Sequence, residues 1–384
     1  MDNNNITYKD SPLGKIPVDW EVKRLAEICT TFKSGYGITS EEIKVNGEYA
    51  VYGGNGLRGY TNKFTHEGNY FLIGRQGALC GNIVRVYGKN YISEHAIAVQ
   101  TDDKNDNLFL AYKLDFQNLN RLSESSAQPG LSVEKLVRLK ITLPPLPEQK
   151  AIAYILGLMD TAINKNNQLI AQKELQKKWL MQNLLTGKKR LKGFAEDWKE
   201  YHLGEMFSER NDTRYFDLQL LSVGASGIYP QSDSIKKDTS NDDKSKYKRI
   251  CHGDIGYNTM RMWQGRSALS NLEGIVSPAY TIVTPKKNSD SLFFSYLFKT
   301  PKLMNLFWRN SQGLVDDTLN CKYKDFSIVK IQLPERKEQT AIAEVLQAAD
   351  KEIQLLKAKT EKLREQKKGL MQVLLTGKKR LTII

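Results

Sequence analysis

The sequence predicts an α+β protein built from two similar globular units, each followed by a long helix. Three observations carry that expectation. Residues Ile141–Leu191 and Ile331–Leu381 are copies of one another at one constant separation, and both end in Leu-Leu-Thr-Gly-Lys-Lys-Arg-Leu. Within each copy apolar residues recur at steps of four and three. Ahead of each copy lies a stretch of short β-type runs broken by Gly, Asn and Ser, opening on Asp-Trp with a Leu five residues after the Trp.

The copies share Leu-Pro, Glu-Gln, Ala-Ile-Ala, an Asp, Gln-Lys-Lys and Leu-Met-Gln. In the second, Ile342, Leu346, Ile353, Leu356, Leu363, Leu370 and Leu374 mark a heptad seam, with Glu, Gln, Lys and Ala elsewhere. The first carries Ile152, Leu156, Met159, Ile163 and Asn166, with further polar insertions at Lys173 and Lys177. Pro147 suits a first turn, and Gly187 and Gly377 suit C-terminal caps. From Glu148 to Leu185 such a helix would run about 57 Å at about 1.5 Å per residue. Neither seam can stay in water alone. The obvious partner of each is the other; the alternative is that each packs on its own neighbouring unit.

The chain of 384 residues is 40% hydrophobic and carries a formal charge of +14, the balance of a protein that meets polyanions. The charge is uneven. Residues 1–147 hold 17 Lys and Arg against 16 Asp and Glu, so the excess lies downstream. No apolar run approaches the ~18 residues of a membrane span. The N-terminus lacks a signal peptide's apolar core, and the four scattered cysteines have no Cys-x-x-Cys spacing, which points to a cytoplasmic protein.

Strands are expected at Tyr49–Tyr52, Tyr70–Gly74, Ile83–Tyr87 and Ala96–Gln100 in the first unit, and at Leu220–Val223, Ile255–Tyr257 and Tyr280–Val283 in the second. A helical run follows late in each, Asn107–Leu119 and Ser291–Phe307. Each unit closes on a strand, Leu139–Leu143 and Ile328–Leu333, that leads into its long helix. The polar stretch Gln231–Lys248 reads as an exposed loop.

Catalytic motifs do not appear. Gly54-Asn55-Gly56-Leu57-Arg58-Gly59 has dinucleotide-loop spacing, but turn- and strand-like residues follow it where a pyrophosphate site needs a helix N-terminus. The four histidines lack metal-ligand spacing, and there is neither a Walker A loop nor an Asn/Asp-Pro-Pro-aromatic adenine clamp. What remains are turn-bounded clusters pairing Arg with amides and aromatics. The first unit offers Lys33, Tyr36, Asn55, Arg58, Tyr60, Arg75 and Gln76; the second offers Arg210, Arg214, Asn258, Arg261, Trp263, Gln264 and Arg266. Arg reads guanine bidentately, Asn and Gln read adenine, and Gly lets backbone approach phosphate. Taken singly such residues are common in loops; one set per unit is what favours DNA.

The chain resembles the specificity subunit of type I restriction–modification enzymes. The resemblance rests on Leu143-Pro144-Pro145-Leu146-Pro147-Glu148-Gln149 and on Leu333-Pro334 with Glu338-Gln339-Thr340-Ala341-Ile342. It rests also on the Leu-Leu-Thr-Gly helix ends, the Asp-Trp openings, Tyr91-Ile92-Ser93-Glu94-His95-Ala96 and the weaker Gly274-Ile275-Val276-Ser277-Pro278-Ala279. The second unit departs in having Glu335-Arg336-Lys337 where the first has Pro145-Leu146-Pro147. The resemblance implies target-recognition domains at 1–144 and 192–334, and conserved spacer helices at 145–191 and 335–384 paired as an antiparallel, pseudo-two-fold coiled coil. It implies that each domain reads half of a bipartite, asymmetric double-stranded DNA target, with the helices setting the unread spacer. The subunit would be non-catalytic and would bind no cofactor. It would dock two methyltransferase (modification) subunits and, through them, restriction (helicase–nuclease) subunits, which hold the S-adenosylmethionine, ATP and Mg used in DNA methylation and phage defence. Two rival readings stay open. One is a coiled-coil scaffold without a DNA role; the other is a specificity subunit whose partner fuses cleavage and methylation.

Overall fold

The computed structural model describes residues 7–77, 79–123, 130–224, 227–234, 240–315 and 318–381. Two compact units emerge. The first comprises residues 1–167 with 358–384, the second residues 168–357, so each long helix gives one half to each unit.

In the first unit six strands form one sheet: β1 (Cys29–Ser34), β2 (Tyr49–Gly53), β3 (Gly56–Thr61), β4 (His66–Gly74), β5 (Ile83–Ile92) and β6 (Ala96–Thr101). Their order is β1-β6-β4-β5-β2-β3, antiparallel throughout except for the β2–β5 pair. The expected glycine-rich loop is therefore a hairpin with Gly54-Asn55 at its turn, and Arg58 and Tyr60 stand on strand β3 rather than on a loop. Helix α1 (Asn107–Phe116) starts at Asp106, whose carboxylate accepts the Phe109 N–H at 2.7 Å. The long helix α2 (Leu146–Leu184) follows.

The second unit has a smaller sheet. Strands β7 (Phe207–Arg210), β8 (Ile255–Asn258), β9 (Ser267–Leu269) and β10 (Tyr280–Pro285) lie in the order β7-β10-β8-β9. The expected helix over 291–307 is two, α3 (Ser291–Leu297) and α4 (Pro301–Asn310). Proline lacks an N–H and suits a helix start, and the Thr300 hydroxyl accepts the Leu303 N–H there. The second long helix, α5 (Arg336–Leu374), has 39 residues like α2, about 58 Å at 1.5 Å per residue. Its start matches that of α2 despite the change of sequence before it. Of the polar stretch 231–248, residues 235–239 lie outside the described residues; Gln231–Asp233 is a single 3-10 turn. Among the described residues no helix is long and apolar enough to cross a membrane.

The shared opening of the units has a structural reason. Glu21–Arg24, just after Trp20, pairs antiparallel with the closing strand Lys140–Leu143, and Lys199–His202, just after Trp198, pairs with Lys330–Leu333. Each unit is thus sealed where its long helix begins. Gln149 Nε2 then donates to the Pro144 carbonyl (2.9 Å) while Oε1 accepts the Asp106 N–H (2.8 Å). Gln339 repeats both bonds with Pro334 (3.0 Å) and Asp290 (3.0 Å). The Leu-Pro…Glu-Gln phrase is the joint between globular unit and helix.

Helices α2 and α5 pack antiparallel. In the first unit Lys367 binds Asp160 at 2.6 Å; in the second Lys177 binds Asp350 at 2.5 Å, and the residue numbers of both pairs add to the same total, as antiparallel pairing requires. Asp160 also accepts from Tyr112 Oη (2.6 Å), and Asp350 from Tyr296 Oη (2.7 Å). Burial opposes the charge on Asp160, but its bonds to Lys367 and Tyr112 outweigh burial and hold its pKa below the ordinary value. The polar seam positions are therefore paired: Lys173 meets Glu352 at 2.8 Å, and Glu174 meets Lys357 at 2.6 Å. Asn166 differs, since its Nδ2 is buried without a hydrogen-bond partner among the described residues.

Both sequence-based alternatives for the seams hold at once. Ile152 and Leu156 share one core with Phe71, Phe109, Met371 and Leu374, while Ile342 and Leu346 share the other with Phe207, Phe294, Phe326 and Leu184. Each seam pairs with the other helix and, at its ends, completes a globular core. Ile163 and Ile353 are also buried; Met159, Leu356 and Leu363 are half-buried. Buried Lys113 reaches the Leu375 carbonyl at the end of α5 (2.5 Å), and burial pushes its ammonium down to about 8.

The Lys-Lys-Arg tails explain their own duplication. Gly187 (φ 70°) and Gly377 (φ 72°) turn the chain back in the left-handed region. Arg380 then binds Glu148 through two nitrogens (2.7 and 2.8 Å), and Arg190 binds Glu338 likewise (2.6 and 2.7 Å). Each carboxylate is only 1% exposed. Glu148 also accepts from Trp20 Nε1 (3.1 Å), whereas Trp198 Nε1 is buried without a partner among the described residues.

Two stability predictions follow from these buried groups. Arg190→Met strands the Glu338 carboxylate and should cost about 3–5 kcal/mol, while Glu338→Met with Arg190→Met should regain most of it. Urea unfolding of both variants checks this; equal loss in both would contradict it. Asn166→Leu removes a buried unpaired amide and should stabilise by about 1 kcal/mol, read as a raised melting temperature.

Candidate nucleic-acid interface

In the first unit four backbone segments converge. The Tyr36 N–H donates to the Ile92 carbonyl (2.9 Å) and Glu94 N–H to the Tyr36 carbonyl (3.1 Å). Ser93 N–H donates to the Tyr52 carbonyl (2.8 Å), and Arg75 N–H to the His95 carbonyl (3.0 Å). Gly54 and Gly74 make this approach feasible. A Cβ on Gly54 would stand 2.7 Å from the His95 carbonyl oxygen, and one on Gly74 would stand 2.6 Å from that of Gly54. Gly54, the first glycine of the G-x-G-x-x-G spacing, thus serves close packing of backbone.

This convergence gathers Tyr36, Asn55, Arg58, Arg75 and Gln76, all exposed except the half-buried Arg75. Lys33 and Tyr60 lie within strands, Lys33 opposite Ala98 and Tyr60 bridged to Lys44. Two members were not among the expected contacts: Glu94 and His95. Their only sequence signal was the phrase Ser93-Glu94-His95-Ala96. His95 Nδ1 faces Gln76 Oε1 at 3.2 Å, and Nε2 faces Glu94 Oε1 at 3.2 Å.

The second unit repeats the backbone plan with different side chains. Thr259 N–H donates to the Ala279 carbonyl (3.3 Å) and Cys321 N–H to the Thr259 carbonyl (2.8 Å), as Arg75 N–H does to His95 and Leu131 N–H to Arg75 (2.9 Å). Thr259 and Met260 therefore occupy the places of Arg75 and Gln76. Arg261, Gln264 and Arg266 come from an added turn after them, closed by Arg261 N–H to the Asn258 carbonyl (3.0 Å) and Arg266 N–H to the Arg261 carbonyl (3.3 Å). Asn258 Oδ1 accepts the Met260 N–H and Trp263 Nε1 donates to the Met260 carbonyl, so these two side chains shape the turn.

Arg210 is tied down by two carboxylates. Its guanidinium is bound to Asp254 (2.8 Å) and Asp212 (2.9 Å), and Asp254 is 1% exposed. Arg214 is exposed, with φ 68°. Among the described residues no group of three or more His, Cys, Asp or Glu is placed to hold a metal ion.

A family described as the type I restriction modification DNA specificity domain matches this chain twice, over residues 17–174 and 195–365. The chain belongs to that family: it is a non-catalytic specificity subunit that recognises the DNA target sequence. It is 40% identical over 163 residues to the type I restriction enzyme EcoprrI specificity subunit of Escherichia coli, a match covering 41% of this chain and 40% of that protein. It is 25% identical over 422 positions to the MjaVIII specificity subunit of Methanocaldococcus jannaschii, covering 96% of this chain and 94% of that one. In fold it resembles the type I restriction–modification S subunit of M. genitalium, with a TM-score of 0.66 at 16% identity over 99% of this chain and 98% of that one.

Proposed function

We propose that each unit reads one half of a split double-stranded DNA target through its converging loops. The observation that carries this reading is the shared backbone plan with unlike side chains. Arg75, Gln76, Arg58 and Asn55 in one unit, and Arg261, Gln264 and Arg266 on the turn added in the other, offer different donor and acceptor patterns on a shared backbone frame. Unlike readers imply unlike half-sites, so the target is bipartite and asymmetric. The paired helices set the unread spacer between them.

The chain supplies recognition and its partners supply chemistry. Two methyltransferase subunits, using S-adenosylmethionine, modify adenines in the target; restriction subunits using ATP and Mg join through them, in the cytoplasm. Family membership and the positive charge of the chain support this assembly.

Two experiments test the reading. Gln76→Ala should weaken recognition of one half-site only and Gln264→Ala the other, each by about 1–3 kcal/mol per lost base contact. Competition binding with each half-site scrambled in turn measures this; equal loss on specific and random DNA would assign both to phosphate contacts instead. A heptad inserted after Asn167, matched by one after Lys357, adds about 10 Å to both helices while keeping the seam in phase. Methylated-adenine mapping of that variant, assembled with its methyltransferase partner, should show the same half-sites with a spacer longer by about three base pairs. An active variant with an unchanged spacer would show that the helices do not set the distance.

A further inference from the structure

The second unit carries a basic cleft whose charge is left unanswered. It is an open hollow of about 590 Å³ between the C-terminal end of α2 and the start of α4. Lys178 and Lys188 line one wall, and Lys299 and Lys302 the other. All four are exposed, and none has a side-chain ion pair or hydrogen bond among the described residues. Lys173 and Lys177, on the same helix, are instead bound to Glu352 and Asp350. Partial desolvation and the like charge of Lys177 hold the Lys299 ammonium below the ordinary lysine range. Asp350, already bound to Lys177 and Tyr296, offsets only part of this. Four like charges around one hollow repel until an anion lies among them.

The cleft borders the turn that the second unit adds to the shared frame. A Cβ on Gly265 would stand 3.7 Å from the Lys299 Cα and 3.1 Å from the Met304 sulfur. Gly265 separates Gln264 from Arg266, both exposed, so the lysines continue the surface on which those two side chains stand. We infer that this cleft holds the sugar–phosphate backbone of the DNA whose bases the added turn reads. A lysine ammonium is a point charge without preference among bases, and backbone contacts fix the register of a reader without reading sequence. The inference rests on the reading above that the added turn contacts bases.

The first unit does not repeat the arrangement. Asp106 and Asp290 cap equivalent helices, and counting from them Asp115 and Asn118 fall where Lys299 and Lys302 stand. Lys368 and Lys378 match Lys178 and Lys188, but the hollow beside Lys378 is lined by Tyr8, Leu13, Ile16 and Phe116. Its other lysines are Lys15 and the buried Lys113, which is bound to the Thr142 hydroxyl and the Leu375 carbonyl. With an acid in the place of Lys299, the grip on the backbone is one-sided. That agrees with the charge along the chain, since residues 1–147 hold nearly as many acids as bases and the excess lies downstream.

The test uses the full chain assembled with its methyltransferase partner, bound to a duplex carrying the mapped target and to a random duplex of equal length. Affinity is measured across salt from about 50 to about 200 mM. Lys299→Gln with Lys302→Gln should weaken both duplexes by the same factor and flatten the plot of log affinity against log salt by about one per lysine. Lys178→Gln with Lys188→Gln should do likewise. Lys287→Gln, which removes the same charge beside the start of α5, should leave the slope unchanged. An unchanged slope in either double variant, while Gln264→Ala still weakens its half-site, overturns the cleft and leaves the reading of DNA intact. An equal change with Lys287→Gln reduces the effect to net charge and overturns it too. So does a loss confined to the target duplex, which marks base contacts. Loss of a methyltransferase subunit from the variants, seen by native mass spectrometry, makes the cleft a protein-docking site and overturns it as well. If neither Gln264→Ala nor the lysine variants change binding, the added turn does not face DNA, and the cleft falls with that reading.

Discussion

Each unit depends on a carboxylate buried in the first turn of a long helix and neutralised by an arginine from the tail of the other. Glu148 and Glu338 are almost wholly removed from water, which is costly for an ion unless a partner with matching geometry comes with it. The fork of Arg380 or Arg190 supplies that partner through two nitrogens at hydrogen-bond distance. Such a bond gives little net stability over a well-packed apolar pair, but it tolerates no slippage. A coiled-coil seam alone could shift by a heptad with modest change in packing. A buried Glu that must meet one Arg cannot. The clasps therefore define register and orientation, and the apolar cores at the same helix ends supply most of the burial energy.

The two units then differ in a regular way. The main joints between unit and helix are duplicated: the Gln149 and Gln339 bonds, the Tyr112–Asp160 and Tyr296–Asp350 bonds, and the cross-helix lysines on those aspartates. What faces outward from the converging loops is not duplicated. Gln76 has Met260 as its counterpart, and the second unit adds a turn carrying Arg261, Gln264 and Arg266. On the proposed reading, a common frame with separate surfaces lets one half of a target change without disturbing the other.

Much of this was legible in the chain itself. The duplication, both long helices and the closing strands are local or periodic features, and amphipathic spacing with glycine caps determines them within a few residues. The α+β class, the pairing of the helices, the family and the absence of a helix after Gly59 also come from residue order alone. Tertiary structure decided the rest, because it turns on contacts between residues far apart in the chain. Nothing in the sequence signals that Asp254, forty-odd residues away, holds Arg210. Lys173 and Lys177 look like interruptions of a seam until Glu352 and Asp350 arrive from the antiparallel helix. Gly54 and Gly74 look unrelated in the sequence until a Cβ on either is found to meet the other's backbone. The pairing of β4 with β6, which sets Gly74 opposite Ala96, places His95 beside Gln76. No periodicity encodes it, since the spacing between those residues along the chain says nothing of which strands pair or in what register.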